Sequence, residues 1–248
     1  MNLFNKIFNN KPKLDPIDLS VFGTDIHSHL IPGIDDGSPD METSIMLVKK
    51  FVDLGFHKII TTPHVMCDYY DNSSAKILSG VNKLREELHR QGIQIEISAA
   101  AEYNLDEGLD ELIKNKDILT FGDNHVLFEL PFIQEPRNLQ ETIFNLQMAG
   151  YKPILAHPER YTYWYDNFDK YEELKSRGVL LQLNLLALTG IYSPQTKKVA
   201  QKMVEANLID AVGTDCHRIE NLKAIEHHLN SKHFHQLAHQ EKLFNKTL

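Results

Sequence analysis

Cysteine is nearly absent from this chain: Cys67 and Cys216 are the only two in 248 residues. Two are too few for a disulfide framework, and they lack the paired spacing of a zinc ribbon. A reducing, cytoplasmic setting is therefore expected. Long apolar runs are missing too; none approaches the roughly 18 residues needed to cross a bilayer, so no transmembrane segment is expected. Basic residues are in the minority, 26 against 34 acidic ones, and the net charge of −8 opposes a nucleic-acid backbone as the partner. There is no internal repeat, low-complexity tract or Gly/Ser-rich linker. The chain also lacks a G-x-S-x-G elbow, a GxxxxGK[ST] phosphate loop and an HExxH pair, and neither cysteine is followed six residues later by arginine. Serine and cysteine nucleophiles are thereby set aside, which leaves water activated by metal.

What is present is a series of apolar runs that end in histidine or carboxylate. VFGTDIHSH ends with His27 and His29, KIITTPH with His64, EISAAAE with Glu102, VLFEL with Glu129 and KPILAHPER with His157, while IDAVGTDCH adds Asp215 and His217. Such endings suit parallel strands whose carboxyl ends open on one face. Between them lie amphipathic helical segments. In PDMETSIMLVKKFVDLG the stripe is Met41, Ile45, Val48 and Val52, with Ser38 as cap and Gly55 as stop. In SSAKILSGVNKLREELHRQG it is Ile77, Val81, Leu84 and Leu88, stopped at Gly92. Further helices are expected over 138–149, 166–177, 194–207 and 221–229, with a strand over 178–184. Alternation of this kind predicts parallel βαβ units, about seven of them. An open doubly wound sheet fits the alternation as well, but it gathers ligands at one switch point, whereas these candidates come from almost every strand. The length suits one domain. It is read as residues 21–248, preceded by an extension over 1–20 in which Leu3, Phe4, Ile7 and Phe8 have helical spacing but no export-signal core or cleavage site.

His27 and His29 stand two apart, so on a strand both imidazoles project to one side and can grip one ion. A lone pair of this kind is weak evidence, the bland alternative being two polar residues at a strand end. Repetition at several strand ends is what supports metal. His27, His29, His64, His157 and His217 with Asp36, Glu102, Glu129 and Asp215 exceed what one tetrahedral ion can use. Two to three divalent ions are expected, and the thiolate-free nitrogen and oxygen set suits manganese, iron or zinc. With three ions the four carboxylates leave a positive site, a better receptor for a phosphate dianion. Arg160, in HPER, is placed to clasp phosphate oxygens, its bland reading being a surface salt bridge. Arg218 is a second candidate. Asp35 and Asp25 are expected to orient imidazoles, while His57 and His125 sit at the opposite strand end and read as structural. Tyr161, Tyr163, Trp164 and Tyr165, with Tyr69 and Tyr70, read mainly as packing, although any that reached the mouth would stack on an aromatic leaving group. His227, His228, His233, His235 and His239 read as a solvated helical face.

TDIHSHLIPGIDDGS, TTPH, AAAEY, LFELP, AHPERY and GTDCH together closely resemble the polymerase and histidinol phosphatase (PHP) superfamily. Within it they resemble the CpsB/CapC type of bacterial capsule and exopolysaccharide tyrosine phosphatase. The resemblance implies a distorted (β/α)7 TIM-like barrel with three metal ions, usually manganese. By position, His27, His29, Glu102 and Asp215 would hold one ion. Glu102 would bridge to a second held by Glu129 and His157, and Asp36, His64 and His217 would hold the third. Histidinol phosphatases tend to carry histidine where Asp36 and Glu129 stand, which favours the tyrosine phosphatase branch. Arg160, His217 and Asp36 are then the catalytic candidates, and Arg160, Arg218 and Tyr161 the substrate contacts. The implied partner is a phosphotyrosine protein, the tyrosine-rich tail of a kinase, with a homo-oligomer left open. The alternatives are a small-molecule phosphatase on the same barrel, an inactive phosphotyrosine-binding module, and a proofreading nuclease module, which the acidic balance opposes.

Overall fold

The computed structural model describes residues 14–248; Leu3, Phe4, Ile7 and Phe8 lie outside the described residues. Among the described residues there are nine short strands: β1 (Thr24–Asp25), β2 (Lys58–Thr61), β3 (His64–Val65), β4 (Glu96–Ala99), β5 (Glu102–Asn104), β6 (His125–Glu129), β7 (Lys152–Ala156), β8 (Leu180–Asn184) and β9 (Ala211–Gly213). They form two segments, ordered β1-β2-β4 and β3-β5-β6-β7-β8-β9, and every pairing is parallel. Only Thr62 and Pro63 separate β2 from β3; proline has no amide hydrogen for a ladder, so the run breaks there and resumes. The chain beyond β1 then meets the chain beyond β9 through a parallel bridge between Ser28 and Cys216. Asp215 N donates to His27 O at 2.8 Å and His29 N to Cys216 O at 2.9 Å. The sheet therefore curls until its first and last strands are linked, as the ligand endings required.

Alternation along the strands divides the core. Ile60, Leu127, Ile154 and Ala211 belong to a small cluster on one side of the curl, while Ile59, Phe128, Leu155 and Val212 join the large cluster shared with the helices. The helices are α1 (Met41–Asp53), α2 (Ser74–Arg90), α3 (Glu107–Asn115), α4 (Leu139–Met148), α5 (Asp169–Ser176), α6 (Pro194–Glu205), α7 (Ile219–Glu226) and α8 (Lys232–Ala238). In α2 all four expected apolar residues are buried. In α1 two expectations need correction. The cap is Asp40, which accepts from Thr43 N at 2.8 Å, whereas the Ser38 hydroxyl donates to Asp40 O. The buried arc runs through Leu47, Val48 and Phe51, leaving Val52 at its edge, 39% exposed. Packing also begins before residue 21, because Leu19 is wholly buried and Ile17 N donates to Leu229 O.

Candidate metal centre

The carboxyl ends of the strands deliver the donors as the sequence led one to expect. His64 lies just past the carboxyl end of β2 and Glu102 just past that of β4, each beginning the short strand that continues the run, β3 and β5; Glu129 closes β6, and His157 follows β7 directly. Their atoms come within ion-sharing distance. Glu102 Oε2 lies 3.1 Å from His27 Nε2, 3.5 Å from His29 Nε2 and 3.2 Å from His64 Nδ1, and Glu102 Oε1 lies 2.9 Å from His157 Nε2. Glu129 Oε1 is 3.2 Å from His64 Nδ1. Asp36, more than half exposed, has Oδ1 at 3.5 Å from His64 Nε2 and 3.4 Å from His217 Nε2. Four groups have donor atoms within 4.8 Å of one another: His29–Asp36–His64–His217, His27–His29–Asp215, His27–Glu102–His157 and His64–Glu102–Glu129. All nine candidates are thus brought together, with His27, His29, His64 and Glu102 each shared between two groups.

The imidazoles are turned by their other nitrogens. His29 Nδ1 donates to Asp35 Oδ2 at 2.8 Å and His217 Nδ1 to Asp215 O at 2.9 Å; both acceptors lack a proton, so the tautomer is fixed. His27 Nδ1 donates to Gln182 Oε1 at 2.8 Å, and Gln182 keeps that orientation because its Nε2 donates to Leu183 O. Each ring then aims Nε2 at the carboxylates. His27 Nε2, His29 Nε2, His64 Nδ1 and Glu102 Oε2 are buried without a hydrogen-bond partner. Leaving such atoms unpaired is costly unless a cation completes them, so these residues fit a bound metal. Asp35 acts as expected. Asp25 does not: it accepts from Thr214 N at 2.8 Å instead of orienting a ring.

Local backbone makes the crowding possible. A Cβ on Gly213 would stand 2.5 Å from His27 Cβ, and one on Gly37 would stand 2.3 Å from His29 O, so neither position tolerates a side chain without movement. His157 and Asp215 adopt positive φ, 34° and 50°, a strained conformation for residues other than glycine that is held where side-chain direction matters. Burial alone would raise the pKa of Asp215, but His27, His217 and Arg160 outweigh it and hold the carboxyl well below the usual range. Burial likewise opposes a charge on His27, yet Glu102 and Asp215 push its pKa up to about 9. The protein groups alone thus attract positive charge to the cluster. Glu159, enclosed beneath Arg160, is pushed up to about 8 by burial.

A cavity of about 320 Å³ opens over the cluster, lined among others by Arg160 and Arg218. A larger hollow of about 930 Å³ lies against α1 and is lined by no histidine. Arg160 Nη1 donates to Asp215 Oδ2 at 3.0 Å. Tyr161 is a correction. It is wholly buried, its hydroxyl donating to Ala156 O and accepting from Leu130 N, so it cannot touch a substrate. Trp164 is also buried. The aromatic rings at the mouth are Tyr70, Phe132 and Tyr192, of which only Tyr70 belonged to a run noted in the sequence. Gln182 was also missed. Of the C-terminal histidines, His227 and His239 are exposed and His228, His233 and His235 half-buried, so the face is largely solvated as expected; His235 Nε2 donates to Asp15 O, and His228 Nδ1 donates to Ala224 O. His125 is buried against Phe244, in keeping with a structural role.

A curled parallel sheet flanked by helices, with a histidine–carboxylate cluster at its mouth, defines a single-domain α/β protein with a candidate metal centre. The comparisons narrow this. A family model described as capsular polysaccharide synthesis, CpsB/CapC, matches residues 23–241, and the chain belongs to that family. It is 31% identical over 197 residues to the tyrosine-protein phosphatase YwqE of Bacillus subtilis, covering 79% of this chain and 78% of that protein. It is 29% identical over 205 residues to the tyrosine-protein phosphatase CpsB of Streptococcus pneumoniae, covering 79% and 84%. Among solved structures, a chain from the crystal structures of YwqE from Bacillus subtilis and CpsB from Streptococcus pneumoniae, described as unique metal-dependent tyrosine phosphatases, matches with a TM-score of 0.75 at 29% identity, over 85% of this chain and 89% of that one. A lactonase from Listeria monocytogenes matches at 15% identity with a TM-score of 0.51, a likeness of fold alone.

Proposed function

We propose that this protein is a metal-dependent protein-tyrosine phosphatase that hydrolyses phosphotyrosine on a bacterial kinase of capsule or exopolysaccharide assembly. The observation that carries the reading is the meeting of Arg160 with the buried cluster: a guanidinium 3.0 Å from Asp215, at the mouth of a cavity floored by unpaired imidazole and carboxylate atoms. We count β2 with β3 and β4 with β5 as interrupted strands, and on that count read seven β/α units in a distorted barrel, a reading that the two strand orders support. We assign His27, His29, Glu102 and Asp215 to one ion, Glu102, Glu129 and His157 to a second, and Asp36, His64 and His217 to a third. The donor groupings support this, although His64 stands nearer to Glu102 and Glu129, at 3.2 Å each, than to Asp36 at 3.5 Å. Manganese fits the mixed donor set. A divalent ion there supplies Lewis acidity and makes water nucleophilic near neutral pH.

The chain's own residues supply the rest. Arg160 offers a planar pair of donors to the phosphoryl oxygens, and Arg218, exposed at the rim, adds positive charge. His217 and Asp36 stand at the open edge, beside the path of the departing phenolate. Gln182 and Asp35 keep the imidazoles aimed. The proposed setting is cytoplasmic, and no helix among the described residues is long and apolar enough to cross a membrane. The test is turnover of a phosphotyrosine peptide against histidinol phosphate, with elemental analysis. Preference for the peptide, loss on chelation and recovery with manganese are expected. Preference for histidinol phosphate, or full activity with no divalent ion bound, overturns the reading.

A further inference from the structure

Arg160 does not simply lean over the cluster. Its guanidinium carbon lies 4.6 Å from the Phe132 ring centroid and 4.5 Å from that of Tyr192, so the flat cation is gripped by two aromatic rings. The rings approach from either side, because Phe132 follows β6 and Tyr192 follows β8, the two neighbours of the strand that ends before Arg160. Tyr192 has a second task. Its hydroxyl donates to Asp215 Oδ2 at 3.2 Å, the oxygen that also receives Arg160 Nη1 at 3.0 Å and Asn184 Nδ2 at 2.7 Å. Phe132 in turn lies near-parallel to His157, at 5.6 Å and 25°. Neither ring is needed in the core: Phe132 is 42% exposed and Tyr192 37%.

An arginine side chain has many rotamers, and a phosphate-binding guanidinium loses them on binding unless something holds it beforehand. Two aromatic faces fix the plane of the cation through its π contacts while leaving its edge available for paired hydrogen bonds. We propose that Phe132 and Tyr192 are positioning residues that clamp Arg160 in its phosphate-receiving orientation, with the Tyr192 hydroxyl tying the clamp to Asp215. The proposal rests on the reading of Arg160 as a phosphate ligand given above. The clamp is contributed by two strand-end loops, neither of which belongs to the metal donor set.

The experiment measures binding of inorganic phosphate to metal-loaded protein for F132L, Y192L and Y192F, each alone and combined with R160A. Turnover of p-nitrophenyl phosphate and metal content are followed in parallel. F132L and Y192L are each expected to weaken phosphate binding about fivefold and raise KM more than they lower kcat, with metal content kept. Y192F retains the ring and is expected to restore most of the affinity lost in Y192L. In the R160A background the leucine substitutions should have no further effect, a result that loss of general packing would not give. Unchanged phosphate affinity in Y192L and F132L, or an equal loss with and without Arg160, overturns the clamp. If wild type binds phosphate but hydrolyses no aryl phosphate, the hydrolase reading falls while the affinity comparison still decides the clamp. Failure of wild type to bind phosphate overturns both.

Discussion

On the proposed reading Arg160 faces phosphate and Glu102 faces metal, so their substitution should separate the two tasks. Arg160→Ala is expected to lower aryl phosphate turnover about 30- to 1000-fold, some 2–4 kcal/mol of transition-state stabilisation, with metal content near normal. Arg160→Lys should recover only part, since an ammonium cannot present two parallel donors. Glu102 approaches four imidazoles and Asp36 only two, at a more exposed edge. Elemental analysis should therefore find a larger metal loss in Glu102→Ala than in Asp36→Ala; equal losses would remove Glu102 from its central role. Eight of the nine donor candidates could be named from the sequence because each ends an apolar run; Asp36 ends none, and its place in the set came from the family resemblance. Phe132, Tyr192 and Gln182 were not, because only strand order brings them beside Arg160 and His27. Tyr161 misled because a residue next to Arg160 along a tight helical turn faces inward, where its hydroxyl satisfies Leu130 N.

At the scale of elements, helices were easier to read than strands. The stripe of α2 repeats over seventeen residues, long enough for periodicity to dominate. By contrast α3 was missed, since nine residues offer only Leu109 and Ile113 as buried positions. Strands of two to five residues carry no period worth counting, and β1, with two, was recognisable only from its histidine ending. Caps are decided by reach. Ser38 stands two residues before the capping position, and the Asp40 carboxylate reaches Thr43 N instead. Asp40→Ala is expected to lower Tm by about 2–4 °C. A melt with no change would mean that water replaces the cap at no cost.

For the whole molecule, the decisive contact is the seam between first and last strands. Asn245, buried in the final turn, accepts from Val212 N at 2.8 Å and donates to Val212 O and Thr24 O at 2.7 and 2.9 Å. It lies beyond the stretch matched by the family model, and no sequence signal marked it. Asn245→Ala strands buried backbone groups of β1 and β9, and a loss of about 2–4 kcal/mol is expected in denaturant unfolding. Because the same two strands lead to His27 and Asp215, metal affinity should fall with stability. Stability loss with unchanged affinity would mean that the mouth is held independently of the seam.

The seam also orders events in time. Asp25 and Thr214, joined by a hydrogen bond, are 189 residues apart in the chain. At ribosomal rates of about 5–20 residues per second, roughly 10–40 s pass between the emergence of the two ends. During that interval His27 and His29 have no Asp215 or His217 to face, so a nascent chain is unable to assemble the complete donor set. Metal capture in the final geometry is thus a late step, completed only after residues near Asn245 have left the exit tunnel.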